Sequence, residues 1–172
     1  APEVLELFGD KAAARALAER CGVPLVAGIN QAVSLEQAQA FCAEHGAVML
    51  KALAGGGGRG MRAVFEPATL AEAYARCQSE AQAAFGNGAL YIEQLVSDAR
   101  HIEVQVLGDG SGAVSHLWER DCSLQRRNQK LVEIAPSPDL DSDVRDAMIA
   151  AALHLAADVK YCGIGTFEFL LD

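Results

Sequence analysis

The chain has 172 residues, 51% hydrophobic and 22% charged, enough for one compact core or two small lobes and unlike a disordered tail. Its 14 Lys+Arg against 23 Asp+Glu give a net charge of −9, which excludes a general electrostatic attraction to nucleic acid or an anionic membrane. Any anion must be held at a local basic site. Five cysteines, an odd number without a C-x-x-C pair, argue against a disulfide framework or a structural zinc site and point to a reducing compartment. No apolar run is long enough to span a bilayer, and "APEVLELFGDK" lacks the charged-then-apolar order of a signal peptide, so a soluble, cytoplasmic protein is expected. The chain opens without Met and stops at "GTFEFLLD", within what reads as a strand, as a piece of a longer polypeptide would.

In chain order, "DKAAARALAERCG" (10–22) reads as a helix capped by Asp10, with Ala14, Leu17 and Cys21 apolar and Gly22 as its stop. "SLEQAQAFCAEHG" (34–46) has Ser34 and Gln37 at capping-box spacing and Leu35, Ala38, Phe41 and Cys42 on one face. Strands follow at "AVMLK" and "MRAVFE", either side of a glycine run. "TLAEAYARCQSEAQAAFG" (69–86) predicts a helix with a Thr69/Glu72 box, an apolar stripe through Leu70, Ala73, Tyr74, Cys77, Ala81 and Ala84, and a stop at Gly86. Next come strands at "LYIEQLV", "HIEVQVLG", "AVSHLWERDCSL" and "KLVEIA". The last helix, at 141–163, places Val144, Met148, Ala151, Leu155 and Val159 on one side and ends at Gly163, before the strand "GTFEFLL". Strands 101–107 and 113–124, joined by "GDGSG", form a predicted hairpin, so the fold class is α+β with antiparallel sheet rather than doubly wound. A boundary near 96–100, at "VSDAR", separates a small lobe from a second sheet.

Gly55, Gly57 and Gly60 formally satisfy G-x-G-x-x-G, but that fingerprint has meaning only where the glycines open a helix whose N-terminus takes the pyrophosphate. Here "MRAVFE" alternates like a strand, and no Gly-Lys-Ser/Thr follows. What remains is a strand, glycine loop, strand hairpin whose backbone N–H groups can fold onto phosphates, with Lys51 before it and Arg59 within it, or else a flexible linker.

"RHIEVQV" puts His101, Glu103 and Gln105 on one strand face, looking into water or into a site. "ERDCSLQRRNQK" concentrates Arg120, Arg126, Arg127 and Lys130 in an acidic chain, either to hold a multiply charged anion or to pair on the surface with Glu119, Asp121 and Glu133. Glu168, between Phe167 and Phe169, points away from the aromatic face, as a Mg²⁺ ligand or as the solvent side of a strand. Glu93 to Val96 can form a hinge crossing whose free backbone groups read an adenine edge.

Taken together, "GDKAAAR", "KALAGGGGRGMR", "YIEQLV", "RHIEVQVLGDG", "ERDCSLQRRNQK", "EIAPSP" and "GTFEFL", in this order over essentially the whole chain, resemble the ATP-grasp fold and specifically the biotin carboxylase component of biotin-dependent carboxylases. Carbamoyl phosphate synthetases look related but lack the 119–130 string. The resemblance implies residues 1–47 as a helical lead-in, 48–96 as the ATP-grasp lid lobe and 97–172 as the start of the larger, central-sheet lobe. It implies an ATP-dependent ligase in which ATP, Mg²⁺ (or Mn²⁺) and bicarbonate make carboxyphosphate, whose CO₂ passes to biotin on a carrier protein. The implied partners are a biotinylated carrier domain and a carboxyltransferase in a homo-oligomeric parent, in the mitochondrial matrix if eukaryotic.

By the same resemblance Lys11 and Lys51 contact ATP phosphates, and Gly57 and Gly58 lie in the closing lid. Glu93, Gln94, Leu95 and Val96 hold the adenine, while His101, Gln125 and Asn128 line the nucleotide site. Lys130 faces bicarbonate or carboxyphosphate as the catalytic cation, and Glu168 is a metal ligand. Three departures stand out: Asn128 where many members have His, Gln94 for a frequent Lys, and Leu53-Ala54 where Ser-Gly is common. Asn128 leans toward a propionyl-CoA-like or broader acyl-CoA system. The family's second metal carboxylate, bicarbonate-binding Arg and general-base Glu would follow residue 172, so the chain alone is expected to bind nucleotide weakly and not to complete the reaction. The alternative is a non-catalytic ATP-grasp-like nucleotide-binding module.

Overall fold

The computed structural model describes residues 2–54, 60–126 and 129–172, Lys11 by its backbone alone. The chain divides into two units, one of Glu6–Ala16 with Pro24–Leu95 and the other of Ala1–Leu5, Leu17–Val23 and Val96–Asp172. At the N-terminus a short helix α1 (Pro2–Gly9), not foreseen from the sequence, precedes α2 (Lys11–Arg20). Asp10 caps α2 as expected, its Oδ1 accepting from the amides of Ala12 (2.9 Å) and Ala13 (3.1 Å).

The 24–95 unit contains β1 (Gly28–Ile29), α3 (Leu35–His45), β2 (Val48–Ala52), β3 (Met61–Val64), α4 (Leu70–Phe85) and β4 (Leu90–Gln94). Its sheet is antiparallel throughout, in the order β1-β4-β2-β3. Val48, Leu50 and Ala52 alternate inward along β2 and join Val64, Leu90, Ile92, Phe41, Leu70 and Cys77 in the core. The same period of two turns Met49 and Lys51 to the other face. The Ser34/Gln37 capping box forms at α3, the Ser34 hydroxyl accepting at 3.2 Å and the Gln37 carbonyl accepting at 2.8 Å.

The Thr69/Glu72 box at α4 does not form. Residues Pro67–Thr69 already turn as a 3-10 helix, so Thr69 is helical and its hydroxyl donates back to the Glu66 carbonyl at 2.8 Å. Leu70, Ala73, Cys77 and Ala81 line the buried stripe of α4, but Ala84 is exposed and Phe85 packs in its place. β2 and β3 pair from Val48↔Val64 to Lys51↔Met61, and the Ala52 amide donates to the Gly60 carbonyl at 2.7 Å. The strand, glycine loop, strand reading is therefore correct in its two arms. Gly60 itself has φ +67, and a Cβ there would meet that of Ala52 at 2.8 Å.

In the 96–172 unit, β5 (Arg100–Asp109) lies between β6 (Val114–Asp121) and β9 (Cys162–Leu171), antiparallel to both. The predicted 101–107/113–124 hairpin is the β5–β6 pair. Helix α5 (Ser142–Asp158), capped by Asp141, covers one sheet face with Met148, Ile149, Ala152 and Ala156 against Ile102, Val104 and Val106. The helix ends earlier than Gly163. Lys160 takes φ +48, the Tyr161 amide returns to the Ala156 carbonyl at 2.8 Å, and Cys162 and Gly163 already belong to β9. The stripe is also wider than expected, centred on Ile149 and Ala152 with Ala151 half-buried.

"KLVEIA" is not one strand. Lys130 closes a two-residue β8 (Gln129–Lys130) paired with β7 (Gln125–Arg126), and Ile134 makes an isolated bridge to Asp121. Leu131 and Val132 between them are exposed, the Leu131 amide donating to the Leu124 carbonyl at 2.9 Å.

A bulge between Val104 and Val106 inserts an extra residue in β6, where Trp118 takes φ +63. It resets the alternation so that Glu119 lies across from Val104, on the core face, and is 1% exposed. Glu119 Oε1 accepts from the Ser137 amide at 3.1 Å, and Oε2 has no hydrogen-bond partner among the described residues. Glu119→Ala strands that amide and opens a void, and is expected to lower the unfolding free energy by about 2 kcal/mol, read by urea denaturation. Among the described residues no helix is long and apolar enough to cross a membrane. All five cysteines are free thiols.

Candidate functional site

In the 24–95 unit the sheet face opposite the core carries Lys51 from β2 and Glu93 from β4. Lys51 and Tyr91 are cross-strand partners, as are Met49 and Glu93, so Lys51 Nζ reaches diagonally to Glu93 Oε1 and forms an ion pair with it. Glu93 is 7% exposed, and its second oxygen lies 3.7 Å from Arg15 Nη1. Arg15 is anchored independently by Asn30 Oδ1 and by the Val26 carbonyl. The Lys51 ammonium also sits 5.9 Å from the Tyr91 ring. Burial, then the Glu93 charge, pushes the Tyr91 phenol far above its usual range, keeping it neutral.

The backbone of the predicted adenine segment is less open than the sequence implied. The Gln94 amide donates to the Ala27 carbonyl at 2.8 Å and the Leu95 amide to the Ala47 carbonyl at 2.9 Å, because β4 is an inner strand. Only other groups of 93–96 are left to read a base. Leu95 and Val96 are half-buried and the Gln94 side chain is exposed.

In the 96–172 unit the face opposite α5 carries one row of charge across all three strands. Arg120 on β6 lies across from Glu103 on β5, and Glu103 across from Glu168 on β9. Two facing carboxylates repel unless a cation joins them. Lys130 does so, with Nζ bonded to both Glu103 Oε2 and Glu168 Oε1, while Arg120 pairs with Glu103 Oε1 and with Glu133 at 3.2 Å. Burial raises the Glu103 carboxyl, but the hydrogen bond and charge of Lys130 and Arg120 outweigh it and hold the group below the usual carboxylate range. Lys130 moves the opposite way. Burial disfavours its charge, yet Glu103 and Glu168 together raise it well above an ordinary lysine, so it is a fixed cation at neutral pH.

Cys122 Sγ, Glu103 and Glu133 offer ligand atoms within 4.8 Å of one another. Burial and the Glu103 charge push the Cys122 thiol up to about 11, and the Glu103 oxygens already face two cations, so this trio is not suited to a metal. Glu168 suits a hard divalent ion better, being an oxygen donor 58% exposed at the edge of the row and able to leave waters on the ion.

The expected residues therefore gather in two sets. Lys51 and Glu93 meet directly. Lys130 and Glu168 also meet, with Gln125 cross-strand from Lys130. The Gln125 side-chain Nε2 donates to the Cys122 carbonyl at 2.9 Å, and the His101 backbone clasps the same turn through Ser123 Oγ and the Cys122 amide. Lys11 opens α2, Arg126 is exposed, and Gly57, Gly58, Arg59, Arg127 and Asn128 lie outside the described residues. Sequence reasoning left Glu103 unassigned on its strand face and passed over Arg15 within "GDKAAAR". Glu103 was detectable as a carboxylate flanked by core positions Ile102 and Val104. Arg15 carried no local signal, since its partners lie 11 to 78 positions away. The surface pairing expected for the basic string holds for Arg120 with Glu133 but not for the other two acids: Glu119 is buried on the Ser137 amide, Asp121 pairs with Arg100 at 2.9 Å, and Arg120 also faces the buried Glu103.

Residues 10–172 match the family described as "Carbamoyl-phosphate synthase L chain, ATP binding domain". The chain belongs to this family. Among its relatives, the pyruvate carboxylase of Schizosaccharomyces pombe is 53% identical over 99% of this chain and 15% of its own length. A biotin carboxylase from Nostoc sp. is 51% identical over 99% of this chain and 39% of its own length. The chain thus spans well under half of these relatives. Of solved structures, the biotin carboxylase domain dimer of Hydrogenobacter thermophilus 2-oxoglutarate carboxylase, in complex with MgADP, ADP and bicarbonate, aligns at TM-score 0.93 with 45% identity, over 99% of this chain and 38% of that one. Campylobacter jejuni biotin carboxylase aligns at 0.91 with 46% identity, over 95% and 37%. The fold is ATP-grasp, α+β with antiparallel sheets, as the motifs implied.

Proposed function

We propose that this chain is the ATP-binding central part of a biotin carboxylase, which uses Mg·ATP and bicarbonate to carboxylate biotin on a carrier protein. The observation that carries this reading is the alignment of 99% of this chain with 38% of the Hydrogenobacter domain, whose complex holds MgADP and bicarbonate. Residues 48–96 serve as the lid lobe and 97–172 as part of the larger lobe. The pyruvate and 2-oxoglutarate carboxylases among the relatives draw the parent's acceptor toward a keto acid, away from the acyl-CoA systems to which Asn128 leaned.

In this reading Lys51 and Lys11 neutralise phosphate oxygens and Gly57 and Gly58 close over them. Glu93 to Val96 hold the adenine, and His101, Gln125 and Asn128 line the nucleotide site. Lys130 holds a positive charge where bicarbonate or carboxyphosphate gathers negative charge, and Glu103 fixes its ammonium in place. Glu168 would hold Mg²⁺, which when bound would neutralise phosphate charge. Phosphoryl transfer demands positioning and charge more than covalent chemistry, and these side chains offer both.

Calorimetric titration with Mg·ATP tests the reading. Lys51→Ala is expected to raise Kd tenfold or more, about 1.4 kcal/mol. Equal affinities for the two proteins would overturn the assignment of Lys51, and binding indifferent to bicarbonate would favour a nucleotide-binding module.

A further inference from the structure

Lys51 faces a difficulty as a phosphate ligand. Its ammonium already pairs with the buried Glu93, and a closed one-to-one pair would have to be broken before the charge could serve an incoming anion. Arg15 changes that balance. It reaches the other Glu93 oxygen with a side chain only 15% exposed, and it is held there by Asn30 and the Val26 carbonyl, not by Glu93 alone. One carboxylate then serves two cations, and the cluster of Lys51, Arg15 and Glu93 carries a net charge of +1.

We infer that Arg15 is a positioning residue which, by sharing Glu93, leaves Lys51 available to the phosphates of a nucleotide. The inference rests on the proposed nucleotide site and goes beyond it in assigning a function to a residue that touches no ligand in that scheme. Its guanidinium is permanently charged, and its hydrogen bonds to Asn30 and the Val26 carbonyl hold it as an ion-pair partner 3.7 Å from Glu93 when Lys51 moves. The glutamate is then never left buried and unpaired, which would otherwise oppose the transfer of Lys51 to phosphate. The effect is electrostatic and falls on the charged part of the ligand.

The test compares ATP, adenosine and inorganic tripolyphosphate as ligands of the wild-type protein, Arg15→Gln and Arg15→Lys, by calorimetry, with thermal unfolding recorded for each. Arg15→Gln is expected to weaken ATP and tripolyphosphate by about fivefold, adenosine by less than twofold, and Arg15→Lys to restore most of the loss. Asn30→Ala removes a neighbouring anchor without removing charge, and is expected to leave the ratio of ATP to adenosine affinity unchanged even if it lowers stability. Equal losses for ATP and adenosine in Arg15→Gln, or no loss for ATP, would overturn the inference. If the wild-type protein binds no ATP but does bind tripolyphosphate, the nucleotide reading fails while the Arg15 inference is still judged on the tripolyphosphate series. Binding of neither overturns both.

Discussion

Glu103→Ala is expected to lower the unfolding free energy by about 3 kcal/mol, with the midpoint of urea denaturation shifting and the slope unchanged. Glu103 is 2% exposed on the central strand of its sheet, and two cations converge on it. Removing it leaves a void beside Arg120 and Lys130, which keep only their more exposed partners Glu133 and Glu168. Both cations are about 30% exposed and can partly regain water, which places the loss at the low end of the range for a broken buried pair. Glu103→Gln preserves the volume and one acceptor and should lose roughly half as much. Lys130→Met combined with Glu103→Ala should lose less than the sum of the two single losses, because neighbouring substitutions in one network are not additive. Equal stability of Glu103→Ala and wild type would show that the row carries no net energy.

The second large effect is at acid pH. Glu103 and Asp121 both have folded-state values below their unfolded ones. In Glu103, Lys130 and Arg120 overcome burial; in Asp121, hydrogen bonds from Ser123 and then Arg100 do so. A depressed carboxyl contributes stability that is fully present above its unfolded value, about 4, and is lost as pH falls through the folded value. Lys130, whose value is raised, contributes stability present below its unfolded value, about 10.4, and lost as pH rises through the folded one. Stability should therefore be nearly flat from about pH 5 to 9 and fall away on both sides. Denaturation midpoints across pH check this. Glu103→Gln should flatten the acid limb, and since Glu103 and Lys130 share one interaction, the same substitution should shallow the alkaline limb as well. An acid limb as steep in Glu103→Gln as in wild type would assign the loss to other carboxylates.

Much of this protein was legible in the chain itself because the signals were local. The Asp10 cap, the Ser34/Gln37 box and the strands around the glycine run are decided within a few residues by hydrogen bonding and by periods of two or 3.6. The 165–171 strand was found in the same way, with Glu168 opposite its two phenylalanines. The failures came where neighbours in space overruled neighbours in sequence. Thr69 lost its cap to a preceding 3-10 turn, and "KLVEIA" is strand-paired only towards its two ends, through Lys130 in β8 and the Ile134 bridge to Asp121.

The site divides along the same line. Charge type and spacing marked Lys51, the basic string and Glu168 as candidates, with a solvent-facing alternative for the last two, and the family resemblance singled out Lys130 within the string. Only the tertiary structure decided what each is paired with. The β6 bulge buried Glu119 and set Arg120 opposite Glu103, and strand order put Glu168 beside Glu103 and brought Lys130 between them. It also carried Arg15, 78 positions before Glu93, to the carboxylate that Lys51 shares. Pairing across that distance depends on strand register and chain reversal, and no period in the sequence encodes either.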